Sequence, residues 1–214
     1  MDFIVEMVFY FIIFIIFATF HEYAHGWMAD RCGDPTARQN GRLSLNPLVH
    51  IDFFWTILMP AILLITTNGR FALGSAKPVP VNPYQFRNPK RDIIWVGLAG
   101  PFANVAWALI LIFIMKAGIF SPASPIYFLL FICMWVNIVL LVFNMIPIPP
   151  LDGSRVVEGL LPDRYVEQYS RTSSYISFIL IIGLMYFGIL SRLFLFVLKL
   201  VIVIFNLHVP SRWM

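Results

Sequence analysis

Apolar residues run almost unbroken through 3–20, 93–115, 126–143 and 173–191, and the last three of these stretches hold no charged side chain. Each is about long enough to cover the hydrocarbon layer of a bilayer as a helix, which takes roughly 20 residues. The first carries Glu6 near its outer end and can continue through Trp27, since neither Pro nor Gly interrupts it before Gly26. Residues 193–207 are apolar apart from Lys199, which can face protein or snorkel, and so predict a fifth span. Phe53 to Thr66 is shorter, is broken by Pro60 and is followed by Asn68-Gly69, a pattern that predicts a re-entrant or tilted segment. Short alternations at 42–45 and 70–81, flanked by Gly, Asn and Pro, predict strands at the membrane face, and Pro78, Pro80 and Pro83 would restrict them to an edge. The expected fold is an all-α polytopic membrane protein of about five transmembrane helices, with a re-entrant segment and short membrane-face strands.

Composition narrows the class. Of 214 residues, 60% are hydrophobic and 12% charged, and 21 are Phe, which excludes disorder and argues against a soluble globule. The polar stretches 29–52, 68–92 and 144–172 are each too short for an independent domain, so one membrane-embedded domain over 1–214 is expected. Its first apolar run has acidic Asp2 and Glu6 in place of a basic start, which argues against a cleaved signal peptide. The net charge of +4 comes without a basic cluster interleaved with aromatics, so nucleic acid is not an expected partner. Cys32 and Cys133 stand too far apart in sequence and setting to suggest a disulfide framework.

The chemistry concentrates at the inner end of the first span. His21 and His25, four apart, share one helix face and can converge on one metal ion. Glu22, beside the first His, is placed to accept a proton from water at that ion and return it to a leaving amine. Ionisable groups at membrane depth are costly, and a metal site would offset that cost. A catalytic zinc site needs a third protein ligand and an open position. Asp152 is the best candidate, because it follows Pro147, Pro149 and Pro150, where a span must unwind. Its alternative is the N-cap of a short helix from Ser154 to Leu161.

His21-Glu22-Tyr23-Ala24-His25, Gly100-Pro101-Phe102-Ala103-Asn104 and Asn144 through Leu151-Asp152-Gly153 together resemble the site-2 proteases, a family of intramembrane zinc metalloproteases, in its compact branch without a PDZ or CBS domain. The resemblance covers the chain to about residue 160, the expected catalytic core, and leaves the C-terminal helices over 173–207 unmatched. It implies one zinc per chain held by His21, His25 and Asp152, with Glu22 as general base and Asn144 near the substrate backbone or the developing oxyanion.

At 1.5 Å per residue His21 lies about 27 Å along its span, and Asn144 a similar distance along the span from Ile126. Both reach one membrane face if 93–115 is the only crossing between them. With that topology 29–52, 68–92 and 144–172 share a side holding most of the Arg and Lys, while the opposite connection holds Lys116. The site is therefore expected to open toward the cytoplasm, in a multi-pass protein of a bacterial or archaeal cell membrane. Asn104 and Asn137 read as interhelical hydrogen-bonding groups, with Asn104 also a possible supporting group at the site. His50 reads as an interfacial histidine that could approach the zinc. The leading function is an endopeptidase acting in or beside transmembrane segments of membrane-protein substrates, with the bilayer and such substrates as partners. A metal-ion transporter or binding protein is the alternative, and it would need polar groups along a whole path. A serine protease is disfavoured, since Ser75 has no evident base beside it.

Overall fold

The computed structural model of the chain describes residues 3–66, 74–170 and 174–210. Two compact units divide it, Met1–Asp92 and Ile93–Met214.

In the first unit, helix α1 (Phe3–Cys32) runs 30 residues, past Gly26 and well beyond the bilayer-length minimum. Gly26 lets its neighbours pack closely there, since a Cβ would stand 3.0 Å from Val79 Cγ1. The helix stops at Gly33, whose φ of 108° is open to glycine and costly for other residues. Asp34, fully buried, then accepts bonds from the Thr36 N–H and hydroxyl at the start of the short helix α2 (Thr36–Gln39) and from the Asn82 N–H.

After a 3-10 turn at Pro47–His50, Asp52 Oδ1 accepts from the N–H groups of Phe54 and Trp55 and opens a π-helical stretch, Phe53–Leu58, which continues into α3 (Met59–Thr66). Pro60 explains what happens next. In a π turn the donor at position 60 would bond to the carbonyl of Trp55, and proline has none. That carbonyl accepts instead from the N–H of Ser75, at 3.1 Å, and Gly74 beside it admits no Cβ, which would stand 2.7 Å from Pro60 Cγ. At six and eight residues the two helical pieces reach about 20 Å, short of the roughly 30 Å that a straight crossing requires.

The strands expected at 42–45 and 70–81 are not formed: no strand occurs among the described residues, and 70–73 lie outside them. Residues 74–82 are irregular, yet three of their alternate N–H groups are paired. Ser75, Lys77 and Val79 donate to Trp55 O, His50 O and Glu22 Oε2, at 3.1, 2.8 and 2.9 Å. These partners come from a π turn, a 3-10 turn and a side chain, so no ladder can propagate. Pro78 and Pro80 supply no N–H for a partner strand. Residues 42–45 reach the same segment through a side chain, Arg42 Nη2 donating to the carbonyls of Lys77 and Pro78.

A 3-10 turn at Pro83–Gln85 then brings the Arg87 N–H to the Cys32 carbonyl, 3.0 Å away, just before α4 (Pro89–Lys116) begins. Arg87, two residues before α4, thus lies against the last residue of α1.

In the second unit, α4 carries Pro101 fully buried within it. Helix α5 (Pro125–Asn144) follows, capped by Ser124, which accepts from Tyr127 N. The Pro-rich turn leads to two short amphipathic helices, α6 (Asp152–Leu160) and α7 (Asp163–Ser170). Helices α8 (Ser174–Tyr186) and α9 (Ile189–Phe205) are 13 and 17 residues long and meet at 65°. Gly188, at φ 66°, makes the bend.

Two bonds give the direction of this bent pair. Lys116 Nζ donates to the Phe205 carbonyl at 2.8 Å, and Tyr127 Oη to that of His208 at 3.1 Å, so α9 ends beside the α4–α5 connection. The five spans expected are not all seen among the described residues. Among the described residues three helices are long and apolar enough to cross a membrane, or four with the bent pair taken as one broken span. The physical reason is that neither α8 nor α9 alone has the length.

Candidate metal centre

Positions 21 and 25 fall one above the other on α1, and both imidazoles are buried. Their Nε2 atoms approach to 3.0 Å, with ring centroids 4.6 Å apart and planes crossed at 80°. Two facing lone pairs at that separation repel unless a proton or a cation lies between them. Two nitrogens at 2.0–2.1 Å from one tetrahedral zinc stand roughly 3.4 Å apart, so the pair fits two ligands of a single ion with little adjustment.

Glu22 is half-buried and turned to the polar segment, where its Oε2 accepts from Val79 N. Nothing in the local sequence signals this partner, 57 positions away. The contact leaves the carboxylate anchored through one oxygen. His50 is buried to 1% exposure in its 3-10 turn, with Nε2 at 2.8 Å from the Ser44 carbonyl. A carbonyl only accepts, so Nε2 carries the proton and is committed there. Its Nδ1 has no hydrogen-bond partner.

In the second unit Asp152 is buried in the first turn of α6, where Leu151 occupies the cap position and makes no side-chain cap bond. The N-cap alternative for Asp152 is thus not what the helix adopts. Glycines fix its backbone on two sides. A Cβ on Gly153 would fall 2.4 Å from the Met145 carbonyl oxygen, and one on Gly97 of α4 would fall 3.1 Å from the Asp152 carbonyl oxygen. The fold-back of 145–151 onto α6, and α6 onto α4, both require a residue without a side chain. Asn144 is the last residue of α5, and its Nδ2 donates to the Leu140 carbonyl at 2.9 Å, a bond within its own helix. Asn104 and Asn137 are both fully buried in spans, Asn137 donating to the Cys133 carbonyl. His21, Glu22, His25 and His50 thus belong to the first unit, and Asp152, Asn144 and Asn104 to the second. Of the residues that support these groups, sequence reasoning missed Val79 and Gly97, whereas Gly153 stood within a motif.

The family model for peptidase family M50 matches residues 115–186, which include Asn144 and Asp152 and extend beyond residue 160. YwhC of Bacillus subtilis (strain 168), whose name proposes a zinc metalloprotease, is 38% identical over 170 residues, 75% of this chain and 73% of that protein. Rip2 of Mycolicibacterium smegmatis, named in the same way, is 32% identical over 143 residues, 64% of this chain and 51% of the relative. MJ0392 of Methanocaldococcus jannaschii, named a zinc metalloprotease, is 27% identical over 125 residues, 58% of this chain and 36% of the relative. No solved structure matches the chain.

Proposed function

Because this chain belongs to peptidase family M50, the site-2 protease family, we propose that it is a zinc endopeptidase of the membrane that hydrolyses peptide bonds in or beside the transmembrane segments of other proteins. The observation that carries the reading is the buried His21–His25 pair closing to 3.0 Å on an apolar helix, with a carboxylate at the next position. His21, His25 and Asp152 would hold one zinc per chain. The chemistry zinc supplies when bound is Lewis acidity, which polarises a carbonyl and lowers the pKa of water toward neutrality.

The chain's own groups do the rest. Glu22, held by the Val79 N–H, keeps an oxygen with which to take the proton of the attacking water and deliver it to the departing amine. Asn144 retains a second amide N–H beyond the one given to Leu140, a donor for the carbonyl oxygen as it gains charge. Asn104, in the same unit as Asp152, and His50, in the same unit as Glu22, would act as supporting groups.

A substrate helix must unwind to expose a scissile carbonyl, because its backbone is bonded to itself. Extended pairing along 74–81 would be one-sided, since Pro78 and Pro80 donate nothing and only carbonyls could receive the substrate. The charge asymmetry across the spans supports a site facing the cytoplasm, and relatives in a bacterium and an archaeon fit a prokaryotic membrane. A permeation path is less well supported, because α1 holds no charged side chain from Val8 to Phe20. The test is cleavage of a single-span substrate by purified protein and by Glu22→Gln: the reading requires activity in the first and its loss in the second, and activity in both contradicts it.

A further inference from the structure

The peptide group that holds Glu22 is itself held from behind by Arg42. After the turn at Gly41, whose φ is 63°, the Arg42 N–H returns to the Ala37 carbonyl at 2.8 Å, and the side chain crosses to a segment 35 positions on. There Nη2 donates to the carbonyls of both Lys77 and Pro78, at 2.8 and 3.3 Å. The next N–H along the chain is that of Val79, which donates to Glu22 Oε2 at 2.9 Å. The Pro78 oxygen and the Val79 N–H belong to one planar trans peptide group and point to its opposite sides. Arg42 thus grips one end of the group, and the carboxylate rests on the other.

We propose that Arg42 is a positioning residue for the general base: acting through the Pro78–Val79 peptide, it aims the carboxylate of Glu22. The proposal rests on the peptidase reading above. Two backbone torsions separate the Lys77 carbonyl from the Val79 amide, and the ring of Pro78 locks the first of them, φ. Fixing both carbonyls on one guanidinium nitrogen fixes the second, ψ, and with it the direction of the Val79 N–H. A cation on the carbonyl end also polarises the peptide, so that its N–H becomes a stronger donor toward an anion. The surrounding frame is closed. Lys77 N donates to the His50 carbonyl, and His50 Nε2 to that of Ser44, two residues from Arg42. Val79 is buried, its Cγ1 packed over Gly26, one turn beyond Glu22 on α1. Arg42 Nε is buried and has no hydrogen-bond partner, so Arg42→Met keeps the packed stem and removes the donors that matter.

The test measures kcat and KM on a single-span substrate, zinc content and thermal midpoint for the full chain in detergent micelles, in wild type, Arg42→Met, Arg42→Lys, Glu22→Gln and Arg42→Met/Glu22→Gln. Arg42→Met should lower kcat by roughly 10- to 100-fold, the cost of a misplaced catalytic group, with KM and zinc unchanged. Arg42→Lys, which keeps a donor for the carbonyls, should recover much of that loss. In the Glu22→Gln background Arg42→Met should cost nothing further, because residues that act as a unit are not additive. Hydrogen exchange gives a readout that needs no proteolysis. Pro78 and Pro80 have no amide hydrogen, so Val79 is read between silent neighbours, and Arg42→Met should speed its exchange by roughly tenfold or more while Ser75, bonded to Trp55, is unchanged. Wild-type kcat in Arg42→Met, an equal loss with and without the Glu22 carboxylate, or unchanged exchange at Val79 overturns the proposal. If Arg42→Met loses its thermal transition, Arg42→Gln, neutral and shorter, takes its place with the same outcomes. Cleavage absent in wild type or undiminished by Glu22→Gln would instead overturn the peptidase reading, and this proposal with it.

Discussion

Glu22 is where local chemistry and long-range structure meet, since its carboxylate is anchored on Val79 N and stands next to a buried histidine. Glu22→Gln keeps the size of the side chain and removes its basicity, so cleavage should fall by about 10²–10⁴-fold while zinc content is unchanged. Elemental analysis and a cleavage assay on one preparation check this, and loss of zinc as well would make Glu22 a ligand. Asn144→Ala removes one donor and should lower turnover by roughly 10²–10³ with zinc retained. If the bond to Leu140 is its whole role, the variant will instead be less stable and cleave normally per folded molecule. The His21/Glu22/His25 cluster was legible in the sequence because a spacing of four on a helix is a local fact. The grip of Val79 on Glu22 was not, because it depends on how 74–82 is folded from three directions.

At the level of elements, the apolar runs announced α1, α4 and α5, and the length and Pro60 of 53–66 announced a piece too short to cross. The strands failed for a reason visible only in three dimensions: the N–H groups of Ser75, Lys77 and Val79 are taken by turns and a side chain. Thr56 is a sharp probe of that arrangement, being fully buried, accepting from Asp52 N and donating to Ser75 O at 2.7 Å. Thr56→Val leaves both groups unsatisfied and should cost about 1–3 kcal/mol, read as a lower thermal midpoint. Gly153→Ala should be worse than a surface change of the same size, since the new methyl would displace the Met145 carbonyl and strain the turn that carries Asp152, by at least about 1–3 kcal/mol. The Leu151-Asp152-Gly153 motif made Gly153 legible, whereas Gly97, which faces the same turn from α4, looked like any glycine in a span. The 65° bend at Gly188 was equally hidden, because an apolar run reads the same whether straight or broken.

For the whole molecule the count of crossings and the assembly of the site are the two claims. Cysteines introduced at Arg38 and Arg87 should label from one face, and those at Gly118 and His208 from the other, as expected when the chain crosses four times. Labelling of Arg38 and His208 positions from the same face would restore five spans. The site claim is that His21 and His25 from the first unit and Asp152 from the second serve one ion. The direct measurement is zinc per chain, by elemental analysis of wild type, His21→Ala, Asp152→Ala and the double variant, each checked for folding. One zinc in wild type, with most of it lost in either single variant, is the predicted result. A stoichiometry near one that survives the double substitution would contradict the account.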